Sequence, residues 1–190
     1  MALAPKYCSY LLKPTNEIHD LSKRHTIEIF LDLVCPYSKK MFTTLSESNF
    51  QFIFRHQVQP WHPQSCLLHY AVMNVNRANS ADLLKVIQIL FENQESFFDA
   101  NVQDLSAKQI YFKIAGLINQ QGISFVNDNL IVGEGNGGNA LVSDMKYHMR
   151  FTRQLGVHVS PTVFINGIED PKISSSWSVE QWIQHLKEIK

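Results

Sequence analysis

The sequence predicts an α/β protein in which helices flank a central mixed β-sheet and an all-helical insertion interrupts it. Two apolar runs, Thr26 to Val34 and Phe50 to Val58, predict strands joined by a helix, which is the arrangement of a parallel β-α-β unit. Thr162 to Ile165 and the segment after Gly167 predict an antiparallel hairpin. The long stretch between these two groups of strands has helical periodicity.

The N-terminal elements rest on local patterns. Residues 1–25 carry two prolines and predict an arm with a short edge strand around Tyr7 to Leu12. The helix after the first long strand is expected from about Pro36 to Glu47, because Met41, Phe42 and Leu45 are spaced to face a core.

The remaining helices are predicted from apolar periodicity and from capping residues, since Ser and Asn side chains accept hydrogen bonds from the first free amides of a helix. We expect one helix over residues 63–79, a second capped by Ser80, a third opened by Ser106, a helix or turn over 123–132, a fourth capped by Asn139 and ending near Leu155, and a terminal helix from Ser178 to Ile189.

Composition limits the function. The 190 residues contain 17 Lys and Arg against 17 Asp and Glu, so a formal charge of zero favours neither nucleic acid nor an anionic membrane surface. No apolar run approaches the roughly 18 residues needed to span a bilayer. The first twenty residues do not resemble a secretory signal, and three irregularly spaced cysteines do not predict a disulfide framework. We expect a cytoplasmic location and predict no oligomeric state.

The strongest chemical feature is Cys35, which lies where a buried strand ends and a helix begins. The first amides of a helix lack internal partners, and the helix dipole places partial positive charge there. Pro36 suits the first turn, and Lys39 and Lys40 add positive charge. These effects favour the thiolate form, so the sequence predicts a reactive thiol.

Three motifs resemble one known family. Asp32 followed by Cys35-Pro36-Tyr37-Ser38 is similar to the active-site turn of DsbA-like thioredoxin-fold proteins. The stretch from Ser160-Pro161-Thr162 through Asn166-Gly167 is similar to the loop in which that family holds a cis-proline against the cysteine, and residues 59–63 resemble the segment that leads into its inserted helices.

The resemblance implies a thioredoxin-like domain made of residues 26–60 and 157–190, an N-terminal arm of residues 1–25 and a helical insertion of residues 61–156. It implies a cis Ser160–Pro161 bond and a substrate held along the two matched turns. The substrate-binding residues implied are Pro36, Tyr37, Ser160, Pro161 and Thr162.

Ser38 stands where the family usually has a second cysteine. Its hydroxyl can donate a hydrogen bond to a thiolate but cannot attack a mixed disulfide, so release requires another thiol, with glutathione as a candidate co-substrate and no bound cofactor. Both Cys66 and Cys8 are candidate resolving thiols.

Asp32, His62 and Cys66 are candidates for supporting roles. The buried carboxylate of Asp32 either bonds to local backbone or helps manage protons, and Glu28, on the same strand face, is expected to be partly exposed or paired. His62, Cys66 and His69 share one predicted helix face, but ligands on successive turns rarely converge on one zinc ion, so we predict no metal site.

We therefore expect a monothiol thiol-disulfide oxidoreductase that acts on a thiol- or disulfide-bearing protein or on glutathione. Two alternatives remain open. One is a kappa-type glutathione transferase or the related 2-hydroxychromene-2-carboxylate isomerase. These proteins have a turn that resembles Pro36-Tyr37-Ser38, but they usually have Ser at the position of Cys35. The other is a redox-inactive module that uses the same groove to bind a peptide or partner.

Overall fold

The computed structural model describes residues 5–15 and 17–189. Its strands are β1 (Leu11–Leu12), β2 (Ile27–Leu31), β3 (Phe52–His56), β4 (Thr162–Ile165) and β5 (Ile168–Glu169). Its α-helices are α1 (Asp20–Arg24), α2 (Pro36–Glu47), α3 (Ser65–Ala78), α4 (Leu83–Glu92), α5 (Asp99–Val102), α6 (Ala107–Gln120), α7 (Val142–Gln154) and α8 (Val179–Glu188). Four 3₁₀-helices lie at Pro5–Tyr10, Ser80–Asp82, Gln94–Phe97 and Asn127–Leu130.

The five strands form one mixed sheet in the order β1-β3-β2-β4-β5. The central strand β2 is parallel to β3 and antiparallel to β4, while β1 and β5 pair antiparallel at the two edges. Between β3 and β4 every described element is helical. The predicted fold class, a mixed sheet flanked by helices, is confirmed.

The core lies on both faces of β2. Ile29 and Leu31 are fully buried in the larger apolar cluster, which includes α2 and the helices that follow β3. Phe30 points to the opposite face, where it packs with Val157 and Phe164. Because successive strand side chains alternate, a strand covered on both faces is mostly apolar, with Glu28 as the exception in β2, and this explains why β2 was visible in the sequence.

The sheet also buries an ion pair. Glu28 on β2 and Arg55 on β3 are almost fully buried, and Arg55 Nε donates a hydrogen bond to Glu28 Oε2 at 2.7 Å. The guanidinium group lies 4.4 Å from the centre of the Phe151 ring. Glu28 was expected to be partly exposed or paired, and the structure shows that it is paired with Arg55.

The N-terminal segment differs from its prediction. Only Leu11 and Leu12 form a strand, and residues 5–10 are a 3₁₀-helix. Tyr7 and Tyr10, three residues apart, both pack into the core, and the three-residue turn of a 3₁₀-helix places such side chains on one face. The short helix α1 was not predicted.

Other boundaries also moved for local reasons. The strand expected to reach Val34 ends at Leu31, because the Asp32 side chain binds the Val34 amide and turns the chain. Asn79, not Ser80, caps the segment before α4, since its Oδ1 accepts a hydrogen bond from the amide of Ala81. Capping boxes at Ser106 and Ser178 open α6 and α8. Within the described residues, none of the helices is long and apolar enough to cross a membrane.

Candidate active site

Cys35 is the N-cap residue of α2 and follows the carboxyl end of the central strand. Its backbone is extended, with φ −77° and ψ 119°, and its carbonyl accepts the first helical hydrogen bond from the amide of Lys39 at 3.1 Å. Pro36 occupies the first helical turn, where a missing amide hydrogen costs nothing. The thiol therefore lies at the positive end of the helix dipole.

The second matched motif lies directly against this sulfur. Cys35 Sγ is 3.4 Å from the carbonyl oxygen of Ser160 and donates a hydrogen bond to it, although 125 residues separate the two in sequence. The Ser160–Pro161 peptide bond is cis. Thr162 begins β4, the neighbour of β2, and its hydroxyl donates to the carbonyl of Val159 at 2.8 Å. The pairing of β2 with β4 thus brings the two turns together.

Apolar side chains are exposed around the sulfur. Tyr37 on the first turn of α2 is 65% exposed and Val159 is 51% exposed, whereas Cys35 itself is only 8% exposed. Ser160 Oγ is buried and has no hydrogen-bond partner in the part of the chain that the structure describes. The site therefore offers apolar surface together with an unused polar group.

Asp32 connects the active-site turn to two other segments. Its Oδ1 accepts from the Val34 amide, and its Oδ2 accepts from both the Gln59 amide and the Ser65 hydroxyl, each at 2.7 Å. Burial raises the pKa of this carboxyl group, and the three hydrogen bonds act in the opposite direction. Asp32 thus holds the start of α3 against the turn.

Ser38 lies fully buried beneath the turn. Its hydroxyl oxygen accepts a hydrogen bond from the amide of Asp32 at 3.2 Å. This contact links the first turn of α2 back to the end of β2. It leaves the proton of the Ser38 hydroxyl free to be donated elsewhere.

Sequence reasoning missed one residue of the site. Gln94, at the start of the 3₁₀-helix after α4, donates from Nε2 to the carbonyl oxygens of Leu33 and Cys35, both at 3.0 Å. No motif surrounds Gln94, and 59 residues separate it from Cys35. No sequence signal could have found this contact, because the tertiary packing of the helices creates it.

Other predicted residues lie apart from one another. His62 precedes α3 and approaches Asp99, with 3.6 Å between Nδ1 and Oδ1. Cys66 is adjacent to Tyr70 in α3, and burial raises the pKa of its thiol. His69 faces His56 instead of Cys66.

The three residues of the predicted His62-Cys66-His69 face therefore have three different partners. Among the described residues, no group of three or more His, Cys, Asp or Glu side chains could hold a metal ion. Cys8, Cys35 and Cys66 form no disulfide bond.

The chain was compared with known proteins by sequence and by structure. The sequence matches no family model and no curated protein. The structure is similar to a candidate protein-disulfide isomerase from Pseudomonas syringae, with 26% identity, a TM-score of 0.68 and coverage of 85% of this chain and 93% of that one.

Two more distant structures agree. The catalytic domain of ScsC from Proteus mirabilis has 17% identity, a TM-score of 0.54 and coverage of 87% of this chain and 82% of that one. DsbA2 from Pseudomonas aeruginosa has 15% identity, a TM-score of 0.54 and coverage of 85% and 86%. At these identities the two likenesses concern the fold, and they support the architecture predicted from the sequence motifs.

Proposed function

We propose that this chain, as a member of the DsbA-like thioredoxin-fold family, is a thiol-disulfide oxidoreductase with Cys35 as its single reacting thiol. The observation that carries the proposal is the 3.4 Å contact between Cys35 Sγ and the carbonyl of Ser160. This contact joins the two most distinctive motifs of the sequence at the positive end of a helix.

The proposed reaction is exchange of a disulfide bond. The Cys35 thiolate attacks one sulfur of a substrate disulfide, that disulfide breaks, and the departing thiolate takes a proton from water. A mixed disulfide between Cys35 and the substrate forms. A second thiolate then attacks this mixed disulfide, which restores Cys35 and completes the exchange.

The second thiol comes from outside the active-site turn, because Ser38 cannot supply it. Cys66 neighbours Tyr70, and nothing in the described structure joins it to Cys35. In a reducing compartment, which is the location that the sequence predicts, glutathione is the abundant small thiol. We therefore assign glutathione as co-substrate and a glutathionylated or disulfide-bonded protein as substrate.

The surroundings of the sulfur support an extended peptide as substrate. Tyr37 and Val159, which belong to the two matched turns and are exposed, offer apolar contacts to such a peptide. Ser38 supports the active-site turn through its oxygen, which accepts a hydrogen bond from the Asp32 amide. Pro36, Pro161 and Thr162 shape the two turns that face the substrate.

The test uses a Cys8→Ser, Cys66→Ser protein, in which Cys35 is the only thiol. Its alkylation by iodoacetamide is followed by mass spectrometry from pH 5 to 9, and its activity is measured on a glutathionylated peptide. We expect labelling of Cys35, a Cys35–glutathione adduct, and turnover only with added glutathione. A folded protein whose Cys35 stays unmodified at every pH would overturn the proposal.

A matched variant tests the missing second thiol. In the same background, Ser38→Cys should release glutathione from the Cys35–glutathione adduct without any added thiol, because the new thiol attacks the mixed disulfide and forms an intramolecular disulfide with Cys35. Cys35→Ser should abolish both reactions. Conjugation of glutathione to an electrophile, without disulfide exchange, would instead support the transferase alternative.

Cys35 is only 8% exposed, and a buried thiol is less accessible to a substrate disulfide. This burial favours a second candidate, a peptide-binding module without redox chemistry. In that case the groove between Tyr37 and Val159 would bind its partner whether or not the thiol is present. Equal peptide affinity of the Cys35→Ser variant and the parent protein, with no adduct formed, would establish this candidate.

A further inference from the structure

Gln94 is a buried polar residue that reaches the active site from the helices between β3 and β4. It follows α4 directly, begins the 3₁₀-helix Gln94–Phe97 and is only 1% exposed. A glutamine side chain loses much conformational freedom on burial, and its amide must find hydrogen-bond partners there. The partners it finds are in the active-site turn.

The two hydrogen bonds of Gln94 are made to the active-site turn, and one of them is made to the reacting residue itself. Its amide nitrogen donates to the carbonyl of Leu33 and to the carbonyl of Cys35, each at 3.0 Å. A primary amide has two N–H groups in a fixed planar arrangement, so it holds both carbonyls in one relative orientation. That orientation fixes the backbone on both sides of Val34 and therefore the direction in which the Cys35 side chain leaves the turn.

The segment that carries Gln94 is itself anchored. Gln64 Nε2 donates to the carbonyl of Phe97 at 2.7 Å, and Lys113 Nζ donates to the carbonyl of Ser96 at 2.6 Å. The Phe97 side chain is fully buried. Gln94 therefore acts from a 3₁₀-helix bound to α6 and to the residue before α3, and it does not depend on a mobile loop.

We propose that Gln94 is a positioning residue that holds the Cys35 turn in its reactive geometry; this inference rests on the proposed function of Cys35. Gln94 does not touch the substrate in this role. Loss of its amide would leave the Leu33 carbonyl without its side-chain donor and the Cys35 carbonyl with only the Lys39 amide, and the turn would relax toward other partners. Small displacements of a reacting atom reduce rates strongly, so the effect appears in the reactivity of Cys35.

The test compares Gln94→Met with Asn74→Leu in the Cys8→Ser, Cys66→Ser background. Both side chains are buried and both donate to a backbone carbonyl, Asn74 Nδ2 to that of Val126 at 2.7 Å, but only Gln94 contacts the active-site turn. Urea unfolding measures the stability of each variant. The pH dependence of Cys35 alkylation and the rate of exchange with a glutathionylated peptide measure the reactivity of the thiol.

We expect both variants to lose stability, while only Gln94→Met slows alkylation and exchange, by about 10-fold. Gln94→Glu keeps the shape but cannot donate when ionised, so it should behave like Gln94→Met and replaces it if that variant does not fold. Identical profiles for the Gln94 variants and the parent would overturn the inference.

The two proposals fail differently. Parent protein that reacts normally, together with unaffected Gln94 variants, would contradict the role of Gln94 alone. Parent protein whose Cys35 does not react would contradict the proposed function and, with it, the positioning role. Amide hydrogen exchange gives a readout independent of reactivity, since Gln94→Met should speed exchange at Lys39, whose amide binds the Cys35 carbonyl, and Asn74→Leu should not.

Discussion

The Nδ1 atoms of His56 and His69 lie 2.7 Å apart in the interior, at the contact between β3 and α3. Both rings are fully buried, and the ring of His148 lies 4.5 Å from that of His56. One Nδ1 must carry a proton and the other must accept it, so the pair fits two neutral rings. Burial, followed by the neighbouring His148, lowers the pKa of His69 to about 3, and burial also lowers the pKa of His56 far below its usual value.

Acid should therefore destabilise the protein through these histidines. The histidine pKa values are lower in the folded protein than in the unfolded chain, so the unfolded chain binds more protons below about pH 6.5. The contribution of the neutral histidines to stability is therefore present above about pH 6.5 and is lost as the pH falls toward 3. For His69 the loss at pH 5 is about 2 kcal/mol. Urea unfolding at pH 7.5 and pH 5 measures it.

The control for this prediction separates the buried pair from other histidines. His69→Gln should reduce the difference in unfolding free energy between pH 7.5 and pH 5, whatever its stability at pH 7.5, and replacement of the exposed His158 by Gln should not. An unchanged pH difference in the His69 variant would show that the pair does not control acid stability.

The hydrogen bond from Ser65 to Asp32 should contribute strongly to stability. Ser65→Ala removes one of two donors to Oδ2 and leaves a buried carboxylate less satisfied, at a cost of about 1.5–3 kcal/mol near pH 7. Because this bond lowers the pKa of Asp32, the cost should shrink in acid, where the carboxyl is protonated. Urea unfolding at two pH values measures both effects.

Ser46 provides the matched serine for that comparison. Its hydroxyl is also buried but has no hydrogen-bond partner within the described part of the chain, so Ser46→Ala should change the free energy of unfolding by less than about 0.5 kcal/mol. Similar costs for the two serine variants would mean that the Asp32 contact contributes little.

Breaking the Glu28–Arg55 pair on one side should be more damaging than removing both partners. Arg55→Met leaves Glu28 as a buried unpaired carboxylate and should cost about 3–5 kcal/mol. The double variant Glu28→Leu, Arg55→Met removes the unpaired charge and should recover part of this loss. A double-mutant cycle by urea unfolding measures the recovery, and purely additive losses would contradict the prediction.

The start of the α4 region tests structure against sequence. Asn79→Ala should cost about 1 kcal/mol, because the Asn79 side chain caps the amide of Ala81. Ser80→Ala should be close to neutral, although the sequence favoured Ser80 as the cap. Thermal unfolding of the two variants decides between the two residues, and a larger loss for Ser80→Ala would support the sequence-based assignment.

Much of the architecture could be predicted because its signals are local. The apolar run of β2, the spacing of Met41, Phe42 and Leu45 in α2, and the Ser106 cap each act within a few residues, so periodicity and capping chemistry reveal them. The placement of Cys35 at a strand-to-helix junction is of the same kind. By itself, the sequence determined which segments form the sheet and which thiol stands at a helix N-terminus.

The tertiary structure alone decided what surrounds that thiol. The contact of Cys35 with Ser160 joins residues that are 125 positions apart. The two hydrogen bonds of Gln94 bridge 59 and 61 positions, and the pairing of His56 with His69 bridges 13. Such contacts leave no periodic trace in the chain, because they arise only when the sheet is paired and the helices are packed. They also explain why His62, Cys66 and His69, whose spacing predicts one shared helix face, have three different partners, since packing determines what each side chain contacts.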